Sequence, residues 1–73
     1  MPLELITRRG CHLCEEAERA LQELGVTFEL RDVDGDPDLF ERYDFRVPVL
    51  LRDGRPLAEG RLDRAALVRG LLR

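Results

Sequence analysis

Apolar and polar positions follow two rhythms along this chain, and their succession predicts its elements. Leu3, Leu5 and Ile6 form a short apolar run ending at Thr7, too hydrophobic for an exposed edge and expected as a buried central strand. The period then lengthens. Leu13, Ala17, Ala20, Leu21 and Leu24 mark one helical stripe, while Glu15, Glu16, Glu18, Arg19, Gln22 and Glu23 fill the other face. Gly25 closes that helix as its C′ residue. Val26, Phe28 and Leu30 alternate with Thr27, Glu29 and Arg31, which predicts a second strand over about residues 26 to 33, parallel to the first through a right-handed crossover.

The second half reads as helix, hairpin and helix. Asp36 can cap, and Pro37 can occupy N1 of, a short helix that places Leu39, Phe40 and Tyr43 on one face. Asp34, Asp36 and Asp38 are spaced like calcium ligands, but the glycine and distant glutamate of a calcium loop are out of register, so turn and cap duty is expected of them. Val47-Pro48-Val49-Leu50-Leu51 is a third strand, and Asp53-Gly54 is a two-residue turn into a fourth at about Arg55 to Glu59. Pro56 marks that strand as an edge. Asp63 can cap a closing helix whose Ala66, Leu67, Leu71 and Leu72 return to the sheet, with Gly70 weakening its last turn.

Composition narrows the class. Seventy-three residues suit one domain, 1–73, with a small core. The chain is 44% hydrophobic and 37% charged, no run approaches a membrane span, and Met1-Pro2-Leu3-Glu4 does not open like a signal peptide. A cytoplasmic protein without membrane contact is expected. The net charge is −3, and the twelve basic residues, all arginine, are scattered among fifteen acids. With only three Phe and one Tyr to stack on bases, nucleic acid is not an expected partner.

Chemistry concentrates in Thr7-Arg8-Arg9-Gly10-Cys11-His12-Leu13-Cys14, where the first strand ends and the first helix begins. Two residues between cysteines at a helix start let the sulfurs join as a disulfide or part as two thiols. Free amides and the positive dipole end favour a thiolate on the first sulfur. Cys11 is therefore read as the nucleophile, and Cys14, one turn further under the helix, as the resolving thiol. Structural zinc would want four ligands, and this stretch offers Cys11, Cys14 and His12 with no second knuckle, so no metal is expected. A purely structural disulfide closing so short a loop would remove little entropy from the unfolded chain. In a reducing cytosol such a pair cycles.

Together, Thr7-Arg8-x-x-Cys11-x-x-Cys14, Val47-Pro48 and Glu59-Gly60-Arg61-Leu62-Asp63 resemble the active-site approach, the cis-proline element and the Gly-Gly-x-Asp-Asp type turn of glutaredoxins. Gly10-Cys11-His12-Leu13-Cys14-Glu15, Asp36-Pro37, Arg42-Tyr43 and Arg46-Val47-Pro48-Val49-Leu50 are similar to segments of a family of small bacterial glutaredoxin-like proteins. The resemblance implies a minimal thioredoxin fold (β-α-β-α-β-β-α), an α/β architecture with a four-stranded mixed sheet in order 2-1-3-4 and helices on both faces. It implies catalytic Cys11 and Cys14, and substrate contacts from Arg8, His12, Leu13, Val47, Pro48, Gly60 and Arg61. Pro48 would be cis, leaving the Val47 backbone free to pair with a substrate chain. Arg8 would meet a carboxylate of glutathione. The chain departs from that pattern where Glu59 replaces the first glycine of the turn, Leu62 replaces an aspartate, and Arg61 adds charge. His12 replaces the usual proline or glycine and reads either as a cation beside the thiolate or as an exposed first-turn residue. Leu5 stands where thioredoxins keep a buried carboxylate, which favours glutaredoxin-like chemistry.

Two functions follow as expectations. The first is a monomeric thiol-disulfide oxidoreductase acting on a disulfide protein or a small thiol, holding no tight cofactor and reset by glutathione, another low-molecular-weight thiol or a reductase. The second is a non-catalytic binding module for a protein partner or for an iron-sulfur cluster shared through Cys11.

Overall fold

The computed structural model describes residues 2–73. Met1, part of the stretch compared above with a signal peptide, lies outside them. The chain runs β1 (Leu3–Thr7), α1 (His12–Leu24), β2 (Glu29–Asp32), a 3₁₀ turn (Val33–Gly35), α2 (Pro37–Tyr43), β3 (Val49–Arg52), β4 (Arg55–Glu59) and α3 (Arg64–Leu71). The sheet order is β2-β1-β3-β4, with β1 parallel to β2 and the other neighbours antiparallel. This is a minimal thioredoxin fold with the expected strand order. Among the described residues no helix is long and apolar enough to cross a membrane.

Strict alternation along the central strands sorts side chains between two cores. Leu3, Leu5 and Leu50 point to the face covered by α1 and α3, where they meet Ala17, Leu21, Leu62 and Leu67. Ile6, Val49 and Leu51 point to the opposite face and meet Val33 and Tyr43 under α2. The period-two geometry of a strand makes neighbours in sequence opposite in space.

Several boundaries differ from the sequence expectation, each for a local reason. The second strand starts at Glu29 rather than near residue 26, because β1 begins only at Leu3 and its register pairs Glu4 with Glu29. Val26 and Phe28 still pack on the α1/α3 core, from irregular chain following Gly25 at φ 74°. Leu30 is half exposed on the edge strand. The third strand starts at Val49, so Val47 and Pro48 precede the ladder. On α2, Leu39 and Tyr43 turn inward together, being four residues apart, whereas Phe40 lies a third of a turn away and is 45% exposed. Leu13 lies outside both cores, and the buried side of α1 is Cys14, Ala17 and Leu21. At the end of α3, Leu72 is exposed rather than returned to the sheet.

Caps and turns fall where the residue types require. Asp36 accepts from the amides of Asp38 and Leu39 at the start of α2, and Asp63 accepts from Ala66 at the start of α3. Asp53 at φ 52° and Gly54 at φ 80° turn β3 into β4, the positive pair of angles that Asp-Gly supplies. Gly70 has a packing reason. A Cβ built there would stand 3.1 Å from the Ala58 Cβ and 3.2 Å from the Leu57 carbonyl oxygen. Its smallness lets α3 lie against β4.

Candidate dithiol site

The dithiol sits on a tight turn leading from β1 into α1. The Cys11 amide donates to the Arg8 carbonyl at 3.3 Å, and Gly10 takes φ 73° at the third position of that turn, where a side chain would be strained. Cys11 is the N-cap of α1, with extended φ −92° and ψ 111°. Its Sγ accepts from the Cys14 amide at 3.2 Å. A sulfur here performs the capping duty usually given to Ser, Thr, Asp or Asn, at the end of the helix where anions are received.

The two free thiols have unequal surroundings. Cys11 is partly exposed, whereas Cys14 is 2% exposed. Burial, and then the hydrogen bond with the Cys11 sulfur, push the Cys14 thiol up to about 12. One sulfur is open to solvent, and the other is buried beside it.

Arg8 has partners within the chain. The side chains of β1 alternate beyond its end, so Arg8 follows Glu4 and Ile6 to the α2 side. There its Nε and Nη2 donate to both oxygens of Asp34 at 2.9 Å each, Nη1 donates to the Asp44 carbonyl at 3.1 Å, and Nη2 also donates to the Asp44 carboxylate. Its guanidinium carbon lies 5.9 Å from the centre of the Phe40 ring. Arg8, expected to meet a substrate carboxylate, is thus paired within the chain to two aspartates. Pairing with Arg8 lowers the Asp34 carboxyl, and pairing with the two aspartates raises the Arg8 guanidinium.

The remaining predicted residues divide into two groups. His12 is 84% exposed, with Nε2 3.3 Å from Glu16 and Nδ1 4.0 Å from Glu15, and Leu13 beside it is half-buried. On the other flank the Val47–Pro48 peptide is cis, and the Gly60 amide donates to the Pro48 carbonyl at 3.0 Å, which ties the turn before α3 to the proline loop. Among the described residues neither backbone polar group of Val47 has a hydrogen-bond partner. Arg61 is exposed and forms no ion pair among those residues. Pro48 is buried.

The pattern reading missed the partners that occupy the arginines. Asp34, expected to serve the turn, and Asp44, not singled out, both bind Arg8. Arg46 donates to Glu59 at 3.0 and 2.6 Å, with its guanidinium carbon 5.1 Å from the centre of the Tyr43 ring. The two-residue spacing Glu4-Ile6-Arg8 was the available signal, since it sends Arg8 toward the aspartates that follow β2. Among the described residues no three His, Cys, Asp or Glu side chains gather as a metal-binding group, and Asp36 is engaged as a cap.

Comparison with known proteins places these features in a family. The model of the glutaredoxin-like domain (DUF836) matches residues 2–72. The chain belongs to the glutaredoxin-like domain family. Uncharacterized proteins of Mycobacterium bovis and Mycobacterium tuberculosis are 39% identical over 62 residues, 73% of this chain. The match spans 64% of the length of those curated relatives. A structural genomics target protein, XcR50 from X. campestris, superposes with a TM-score of 0.79 at 39% identity, covering 96% of this chain and 93% of that one. The holo form of glutaredoxin C1 from Populus tremula x tremuloides gives a TM-score of 0.62 at 16% identity, over 99% of this chain and 75% of that chain. At that identity the likeness concerns the fold alone. This glutaredoxin-like domain therefore carries its cysteine pair on a scaffold shared with glutaredoxins, with Arg8 of the approach bound to its own Asp34 and Asp44.

Proposed function

We propose that this chain is a thiol-disulfide oxidoreductase in which Cys11 attacks and Cys14 resolves. The observation that carries the reading is the inequality of the two thiols: a reachable sulfur at the helix cap, and a buried one 3 residues on whose amide already donates to the first. Family membership and the thioredoxin fold support a thioredoxin-like function in general. In the first step the Cys11 thiolate attacks one sulfur of a substrate disulfide, forming a mixed disulfide and expelling the other substrate sulfur, which takes up a proton. Cys14 then loses its proton and attacks the Cys11 sulfur, so the second substrate thiol leaves. The substrate gains two electrons and the cysteine pair becomes an intramolecular disulfide. An external thiol or a reductase returns those electrons in a reducing compartment such as the cytosol.

Redox-buffer titration with thiol counting tests the reading. Both thiols should disappear together in oxidising buffer, with the chain still monomeric by mass, and return together in reducing buffer. Two thiols that persist in every buffer would overturn it. Brown, iron-containing protein as purified, with no disulfide formed on oxidation, would favour the binding module instead.

A further inference from the structure

A recess of about 410 Å³ opens between the dithiol loop, α1 and β2, and both Gly10 and the buried Cys14 form part of its wall. The hollow is thus continuous with the cysteine pair. Glu15 and Glu18 of α1, Asp32 at the end of β2, and Arg9 also line it. Glu18 stands one turn beyond Cys14 and is half-buried, and a helical side chain leans toward the N-terminus, which directs Glu18 toward the turn that holds the thiol. Among the described residues neither Glu18, Asp32 nor Arg9 takes part in an ion pair, and Glu15 faces only His12, at 4.0 Å.

The sign of the field at this mouth follows from all the charges there, arginines included. Arg9 in the recess and Arg61 on the other flank are unpaired cations, and Arg46 is matched by Glu59. Against them stand Glu15, Glu18 and Asp32 in the recess, Glu16 beside His12 on the same turn, and one aspartate in excess at Arg8, which Asp34 and Asp44 share. Negative charge prevails. The positive end of α1 acts on the Cys11 sulfur itself and fades within the first turn, whereas groups flanking a substrate disulfide lie within a Debye length, about 8 Å at physiological salt, of the carboxylates.

We infer that the dithiol selects its substrates by charge, acting fastest on disulfides that carry an ammonium or guanidinium group beside the scissile bond, with that cation received by the Glu15, Glu18 and Asp32 side of the recess next to Cys14. The inference rests on the oxidoreductase reading above and names its substrate class; the two-electron exchange is the one already described.

The test offers the full chain three symmetrical disulfides of similar length: cystamine, with two ammonium groups, bis(2-hydroxyethyl) disulfide, which is neutral, and 3,3′-dithiodipropionate, with two carboxylates. Rates are normalised to those of free dithiothreitol, whose thiolate removes the intrinsic reactivity of each bond. At low salt cystamine should exceed dithiodipropionate by about tenfold, with the neutral disulfide between them, and the gap should close at about 1 M salt, where the Debye length is about 3 Å. Glu15→Gln combined with Glu18→Gln, which keeps helix propensity, should shrink the low-salt gap to about twofold, and Arg9→Gln should widen it. Glu23→Gln combined with Glu29→Gln changes the net charge equally at exposed positions outside the recess, and should leave the gap open. A cystamine-to-dithiodipropionate ratio near or below one in the unaltered chain would overturn the inference. So would equal closing of the gap by the Glu23 and Glu29 pair, since the charge of the whole chain would then be responsible. Failure to reduce any of the three disulfides would instead remove the oxidoreductase reading itself.

Discussion

The two faces of the sheet are built on different physics. Toward α1 and α3 the contacts are almost wholly apolar, with Leu5, Ala17, Leu21, Leu50 and Leu67 fully buried. Toward α2 the apolar cluster is smaller, and ion pairs surround it: Arg31 with Glu4 and Asp36, Arg8 with Asp34 and Asp44, Arg46 with Glu59. The side chains in those pairs remain 21% to 48% exposed, and surface pairs of this kind add little stability. They do fix orientation. One face thus holds the domain together while the other sets charged side chains around a smaller apolar cluster, and the dithiol loop joins the two.

The sharpest way to break this comparison uses adjacent residues on opposite faces. Leu50→Ala and Leu51→Ala remove the same atoms, so a difference between them reports the two cores. Leu50→Ala should cost near the top of the roughly 2–5 kcal/mol range for such truncations, and Leu51→Ala near the bottom, because its half-exposed neighbours can close the gap. Chemical denaturation measures both. Equal losses, or a larger loss for Leu51, would end the distinction.

Gly70→Ala has a smaller expected effect and tests how closely α3 lies on the sheet. Intrinsic helix propensity favours alanine by about 1 kcal/mol. The added Cβ would meet the Ala58 Cβ at 3.1 Å and the Leu57 carbonyl oxygen at 3.2 Å, and overpacking of that sort costs roughly 1–3 kcal/mol. A net loss of about 1 kcal/mol should therefore appear in denaturant melts. A gain would show that β4, as an edge strand, simply moves aside.

Position in the sheet explains which parts were visible in the residues. The order of elements could be read because each has its own period and its own punctuation: Gly25 after α1, Asp36-Pro37 before α2, Asp53-Gly54 in the hairpin. Strand ends could not, since the start of β2 depends on where β1 begins, which is a long-range pairing. Gly70 looked like a local weakness because the strand it touches is distant in sequence. At the dithiol, Cys11 and Cys14 were conspicuous by spacing alone. The partners of Arg8 were hidden, as they come from 26 and 36 residues further along.

The smallest effect concerns acid. Arg8 holds the Asp34 carboxyl below the usual carboxylate range, and Arg46 does the same to Glu59. A carboxyl lowered by folding contributes stability that is fully present above its unfolded value and is lost as pH falls through the folded one. Stability should therefore decline on acidification below the ordinary carboxylate range. Arg8→Met should flatten that decline slightly while changing neutral-pH stability little, as thermal melts at several pH values would register. An unchanged slope would mean that Asp34 and Asp44 find other cations.

The most direct test of the unequal dithiol is to offer each cysteine alone to the same small disulfide at neutral pH and follow adduct formation by mass. Cys14→Ser leaves the reachable sulfur and should form a lasting mixed disulfide at Cys11 quickly. Cys11→Ser leaves only the buried sulfur, whose thiol burial holds up, and should react slower by about tenfold or more. Equal rates, or a faster Cys14, would contradict the assignment of Cys11 as attacker and Cys14 as resolver.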